Sequence, residues 1–267
     1  MSFAIPTDIG TLFRFGMPVL FVLMAVMAIT QQRKLRAKLA ETWRALADET
    51  GGAYSEEKRA IVKNEWVGGP TVRWTIRGLP VTLSSHRQGK NSAGTRLQAS
   101  VRLVRPFQFH VMTQGALARL ASSPRLWNLV LETAEKEADK KAGTDENAGA
   151  AKEAIHKLRF MAAEPVKTGD SLFDEAFLLK TDDPDRARDF FGSSGVSYWM
   201  QELKKTEKGW SLALAVADLN GSSGLTLELQ GIDTNPAALR AARSLVEGAI
   251  GRLADQGVLA GSGRPAA

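Results

Sequence analysis

The sequence contains no cysteine. That absence excludes disulfides, thiolate metal sites and a cysteine nucleophile, and it fits a reducing compartment. Histidine is scarce: His86, His110 and His156 are the only three. By pattern they fall at a strand end, in a strand and in a helix, and their spacing predicts no metal site. Catalytic motifs are missing as well. Gly89-Lys90-Asn91 lacks the first glycine of a phosphate-binding loop and the Ser or Thr that should follow its lysine. There is no GxSxG elbow, no HExxH helix and no spaced dinucleotide fingerprint. GSSG occurs at Gly192 and again at Gly221, and both read as turns. No catalytic residue, metal site or cofactor follows from the sequence. With 44% hydrophobic and 24% charged residues, wholesale disorder is excluded too.

What is present is segregated charge. The net charge of +6 conceals twelve basic against three acidic residues over 51–130, and ten basic against fifteen acidic over 131–189. Before both lies a run without charge, the eighteen residues Phe15 to Gln32, whose strongly apolar centre is Met17 to Ile29. Extending it to Leu12, with Arg14 reaching the interface, supplies the roughly 20 residues that span a bilayer. Pro18 sits near the helix start, where a missing N–H costs least. A cleaved signal peptide would want a basic leader, whereas Asp8 and Arg14 are the only charges here; Val26-Met27-Ala28 is a weak cleavage site. A buried core helix rarely begins a domain while apolar on every face. The balance favours an uncleaved anchor over residues 1–32. Arg33, Lys34, Arg36 and Lys38 crowd one flank, so the positive-inside rule predicts an outside N-terminus and everything after Gln32 in the cytoplasm. For a bacterial chain, suggested by its Ala, Gly and Arg content, that membrane is the inner one.

The remainder reads as α+β, with antiparallel sheet or sheets and flanking helices. Leu35, Leu39, Trp43 and Leu46 form one stripe of a juxtamembrane helix over 33–50, stopped by Gly51-Gly52. A basic β portion follows over 51–114. Val72, Trp74 and Ile76 alternate with Arg73, Thr75 and Arg77, then comes Val81 to Ser84. Leu97, Ala99, Val101 and Leu103 alternate with Arg96, Gln98, Ser100 and Arg102, and Phe107, Phe109 and Val111 continue the theme. Residues 115–163 suggest a helical hairpin with its tip at Gly143 to Gly149, or an insertion that is flexible there. A second α/β portion over 164–258 has strands at Ala176 to Lys180, Trp210 to Val216 and Leu225 to Leu229. Its helices are expected from Asp183-Pro184 to Phe191, from Val196 to Lys205 and after Asn235-Pro236, with Asp183 as a cap. Residues 259–267 read as a disordered tail.

The stretch GDSLFDEAFLLKTDDPDRARDFF, Gly169 to Phe191, together with the apolar run and the Trp43…Gly51-Gly52 helix end, resembles a group of uncharacterised bacterial single-pass membrane-anchored proteins. The resemblance implies the anchor and the architecture, and no assigned activity.

Two function classes are open. One is a membrane-anchored binding or scaffold module facing the cytoplasm. Its candidate surface is the basic sheet face of Arg73, Arg77, Arg96 and Arg102, reinforced by Arg87, Lys90 and Arg105. A solvated polar face is the bland reading of those residues. Anionic lipid headgroups or an acidic protein are the partners that such a face suits, and a homo-oligomer is also open. Nucleic acid is disfavoured, because the aromatics lie mostly on the opposite, buried face. The alternative is a membrane-tethered, cation-dependent hydrolase. It would use Asp170, Asp174, Glu175, Asp182, Asp183, Asp185 and Asp189, since hard cations need several carboxylate oxygens. It requires those carboxylates to converge.

Overall fold

A computed structural model describes residues 9–62, 65–88, 92–114, 123–141, 155, 158–192, 195–206, 209–216, 223–231 and 234–260. The chain begins with α1 (Ile9–Thr50), a single helix of 42 residues. Apolar run and juxtamembrane helix are thus one continuous rod, about 63 Å long at 1.5 Å per residue. Its C-terminal turns bury Leu39, Trp43, Leu46 and Ala47, while Leu35, the first residue of the predicted stripe, stays 60% exposed. Gly51 then takes φ 63°, which ends the helix, and the amide of Gly52 donates to the Ala47 carbonyl at 2.8 Å. Gly52 passes so close to the sheet that a Cβ there would lie 2.6 Å from the Arg73 carbonyl oxygen.

After that turn come β1 (Ala53–Val62), β2 (Glu65–Ile76), β3 (Leu79–Gln88), β4 (Ser92–Val101) and β5 (Phe109–Thr113). Next are α2 (Pro124–Lys141), a helical turn at 158–162, α3 (Ser171–Ala176), β6 (Phe177–Thr181), α4 (Pro184–Gly192) and α5 (Gly195–Thr206). The chain closes with β7 (Trp210–Val216), β8 (Ser223–Gln230) and α6 (Pro236–Asp255). All eight strands join one antiparallel sheet, in the order β1-β2-β3-β4-β8-β7-β5-β6. The architecture is α+β, as the strand and helix patterns predict. The two β stretches of the sequence meet at the β4–β8 seam, where Arg96 pairs with Glu228 and Leu97 with Leu227.

One face of the sheet carries the core. Val72, Val81, Leu83, Leu97, Ala99, Leu212, Leu225 and Leu227 are all fully buried there. At the β5–β6 end the fill is aromatic: Phe109 lies 5.2 Å from Phe190 and 5.1 Å from Phe191, and Phe177 lies 5.3 Å from Trp210. Phe107 joins this cluster from a loop rather than from the expected strand. Asn235 caps α6, accepting from the Ala237 amide, and Pro236 opens the helix. The tail is held further than expected: Leu259 is buried beside Leu103, and the Ala260 amide donates to the Arg102 carbonyl at 2.7 Å.

Polarity follows from two contacts. Thr42 on α1 donates to the Thr234 carbonyl at the start of α6, and Glu49, about two turns later, pairs with Arg240, so the two helices run in the same sense. Because β8 leads into α6, the strands parallel to β8, namely β1, β3 and β5, also end on the side toward which the free part of α1 extends. The Arg77-Gly78 turn and the C-terminus of α6 lie at the opposite end.

Candidate functional site

The face of the sheet opposite the core is built from two rows of side chains in cross-strand register. One row reads Lys180, His110, Ala213, Thr226, Gln98, Thr82, Arg73 and Ala53 from β6 to β1. The next reads Leu178, Met112, Ser211, Glu228, Arg96, Ser84, Thr71 and Ser55. At the β6 end this face is roofed by α2 and the turn at 158–162. Lys180, 1% exposed, donates from Nζ to the Met161 carbonyl, and its ammonium sits 5.8 Å from the Trp127 ring centroid. Arg159 and Glu135 tie the two helical pieces together at 2.7 Å. The two described pieces of residues 115–163 therefore pack on the sheet, while the predicted tip at Gly143 to Gly149 and His156 lie outside the described residues. Over β1–β4 no described element covers the face, and Ala53, Ser55, Arg73, Thr75, Gln98 and Ser100 are exposed.

The four arginines assigned to this face divide. Arg73 and Arg102 are exposed. Arg96 is bound to its cross-strand neighbour, Nε and Nη2 reaching Glu228 Oε1 at 3.0 and 2.7 Å. Such a partly exposed pair contributes at most about 1 kcal/mol. Arg77 leaves the face. It sits in the β2–β3 turn at φ 50°, and its guanidinium reaches α6, 3.9 Å from Asp255 and against Gly251. Strict alternation carries Arg77 to the open side only while the strand continues, and the strand stops at Ile76. The basic patch is thus smaller than the sequence pattern suggests. Arg87, Lys90 and the Gly89-Asn91 loop yield no described side chain.

Two histidines border the rows. Burial pushes the His110 imidazole down to about 4, with Lys180 adding to the effect and Glu228 opposing it. Burial also lowers His86, helped by Arg96 and resisted by Glu228. Both rings are therefore neutral at pH 7.

The acidic run does not converge. Asp170 caps α3 through the Leu172 and Phe173 amides, and Asp174 accepts from the Thr168 and Gly169 amides. Asp182 accepts from the Gln108 amide at 2.7 Å, and Asp183 from the Arg186 amide at 3.1 Å as the expected cap of α4. Asp185 pairs with Arg188 and Asp189 with Arg252. Among the described residues no group of three potential ligands could hold a metal ion. Asp170, Asp174, Asp182, Asp183, Asp185 and Asp189 each satisfy a backbone amide or an arginine instead, and Glu175 is exposed. Asp183→Ala should accordingly lower stability by about 1 kcal/mol, the usual cost of losing a cap. Adding magnesium or calcium should leave the melting temperatures of wild type and variant unchanged, as thermal denaturation would show.

The described side chains of α1 start at Leu20, and none of the apolar ones before Leu39 is covered. Leu20, Phe21, Val22, Leu23, Met24, Val26, Met27 and Ile29 are between 50% and 63% exposed, so no face of the helix is docked. Thr30 satisfies its hydroxyl internally, donating to the Val26 carbonyl at 2.7 Å. Arg33, Lys34, Arg36 and Lys38 are exposed on the next turns. Among the described residues no helix is long and apolar enough to cross a membrane. The described apolar side chains, Leu20 to Ile29, occupy only about 15 Å of helix.

No family model and no curated protein matches the chain. Among solved structures, the mycobacterial trehalose monomycolate transport factor A, TtfA, is similar at 12% identity, with 80% of this chain and 94% of that one covered and a TM-score of 0.39.

Proposed function

We propose that the chain is a membrane-anchored binding module whose domain faces the cytoplasm and offers the open side of its sheet to a partner. One observation carries the reading: α1 is a single rod, buried in the domain from Leu39 to Ala47 and apolar but uncovered on all faces from Leu20 to Ile29. Leaving eight large apolar side chains in water forfeits about 1.5–3 kcal/mol each relative to burial. In sequence the uncharged stretch extends back to Phe15, which makes it about 27 Å long, close to the thickness of a bilayer core. The exposed basic collar of Arg33, Lys34, Arg36 and Lys38 favours the cytoplasmic side for the domain.

Continuity of α1 sets the height of the binding face. Thr50 lies about 27 Å along the helix from Gln32, and the Arg77 turn is at that far end. Charges there are separated from headgroups by about three screening lengths of 8 Å. A protein partner therefore suits the open face better than lipid does, and the small side chains of its rows leave room for close approach. The hydrolase alternative draws no support from the geometry, since its carboxylates are engaged separately.

The test is carbonate extraction of membranes from cells expressing the full chain, followed by protease treatment of vesicles of both orientations. The chain should stay in the pellet and lose its domain only in inside-out vesicles. Leu23→Arg/Met24→Arg should release it, since each arginine at mid-bilayer costs about 2.5–3.5 kcal/mol. Wild-type protein in the carbonate supernatant would sink the anchor. Photo-crosslinkers at Gln98 and Ser100 should give discrete protein adducts that one at Arg243, on α6, does not; no adduct from the sheet face would sink the binding role.

A further inference from the structure

The sheet has two edges, and they differ. At the β6 edge the Val166 amide donates to the Leu179 carbonyl at 2.8 Å, a bridge that takes up part of the outer row. At the other edge β1 has β2 on one side, and no described element pairs with its outer side. From Ala53 to Glu57 its pairing with β2 is regular, running from Ala53↔Arg73 to Glu57↔Gly69, and the register shifts only after Glu57. Alternate residues of such a strand turn their N–H and C=O away from the neighbour, so this stretch presents a row of free main-chain donors and acceptors. Its side chains on the open face, Ala53 and Ser55, are small and exposed.

On the core side the same edge has a wall, supplied by α1. Leu39, Trp43, Leu46 and Ala47 point at the sheet, while Thr42 and Glu49 turn toward α6. At 3.6 residues per turn, Ala40 and Arg44 then lie on the flank away from α6, beside β1. One contact fixes that placement: the Arg44 guanidinium sits 4.9 Å from the Tyr54 ring centroid. The Tyr54 hydroxyl in turn donates to Glu56 Oε2 at 3.1 Å. Arg44 is exposed and forms no ion pair among the described residues. A cation without a carboxylate therefore stands next to an unpaired strand edge.

A second copy of the chain does not suit this edge. A two-fold axis pairs a strand with its own copy antiparallel. The two α1 rods would then leave in opposite directions, which one bilayer cannot accommodate with both domains on the same side.

We propose that the outer edge of β1, from Ala53 to Glu57, takes up an extended segment of a partner protein as a ninth strand, with a carboxylate of that segment facing Arg44. This rests on the binding-module reading, and it sets the partner's strand directly beside the open sheet face.

The probe is a fluorescein-labelled peptide, TVTETVT, whose valines and central glutamate share one face, added to the full chain in detergent micelles. Fluorescence polarisation should rise and saturate. N-methylating one alternate set of peptide amides should abolish the rise, and N-methylating the other set should leave it, because only one set faces β1. Arg44→Glu should weaken binding about fivefold, and a lysine in place of the peptide's glutamate should restore it in that variant. No saturation with TVTETVT, or equal effects of the two N-methylated sets, overturns strand addition. Unchanged affinity in Arg44→Glu overturns the carboxylate contact. The chain has no cysteine, so Ser55→Cys carries a single thiol; disulfide-linked dimers of it in membranes would put a second copy on the edge and overturn the proposal too. Failure of the peptide while Gln98 and Ser100 still give protein adducts removes the edge alone, whereas loss of both removes the binding module.

Discussion

Trp43→Ala should destabilise the domain by about 3–5 kcal/mol, the range for removing a large buried aromatic. Trp43 is fully buried, and with Leu39, Leu46 and Ala47 it forms the whole apolar face by which α1 closes the β1–β2 side of the core. The sheet alone cannot replace it, since β1 and β2 sit at the edge and receive α1 as their main covering helix. The polar links that remain are weak by comparison. Glu49–Arg240 is an exposed pair, and the Thr42 hydroxyl reaches the Thr234 carbonyl only at 3.4 Å. Loss of the indole should therefore free the helix from the domain as well as lower the unfolding midpoint. Leu35→Ala, about two turns earlier in the same stripe, should change stability by less than about 0.5 kcal/mol, because Leu35 is 60% exposed. Urea denaturation of the full chain in detergent, followed by circular dichroism, separates the two. A Trp43→Ala midpoint equal to that of Leu35→Ala would mean that α1 is not docked at all.

That contrast within one stripe shows how far the sequence was legible. Helical spacing identifies which residues share a face, but the stripe alone does not say where the domain begins to cover it. Alternation served well where strands have one wet and one buried face, as at Val72 to Ile76 and Leu225 to Leu229. It failed for β1, because Ser55-Glu56-Glu57-Lys58-Arg59 is a polar run with no period of two. From Ala60 to Val62 that strand pairs with a part of β2 that has no pairing with β3. Local caps were readable at Asp183 and Asn235, since the capping residue and the following proline adjoin in sequence. Asp170 was obscured by the reverse effect. Among so many carboxylates its capping of the short α3 looked like part of a cation site. The joining of both β stretches into one sheet rests on Arg96↔Glu228, a pairing across more than a hundred residues that no local pattern encodes.

Lowering the pH from 7 to 5 should cost the domain about 2 kcal/mol, chiefly through His110. Its ring is held in the row beside Lys180, under the roof of α2, and burial is the main reason that its pKa falls to about 4. An unfolded chain exposes the same imidazole with an ordinary value of about 6.5. Between those two values the unfolded state binds the extra proton, so stability is complete above the unfolded value and drains away as the pH falls toward 4. His86, displaced in the same direction, adds to the loss. Carboxylates act later. Glu49 is held below its usual range by the hydrogen bond to Arg240, so its contribution is lost only as the pH falls below about 4.5. The interval from pH 7 to 5 therefore isolates the histidines. His110→Gln should flatten most of the pH dependence there, and Glu49→Gln should not. The roof should respond before the domain does: protonating His110 sets a second cation against Lys180, whose ammonium already has the Met161 carbonyl and the Trp127 ring as neighbours. Protection factors over α2 and residues 158–162, corrected for the slower intrinsic exchange at low pH, should accordingly fall at pH 5 while those of β2–β4 hold. An unfolding midpoint unchanged between pH 7 and 5 would show that His110 is not enclosed, and that the roof does not close over this end of the sheet.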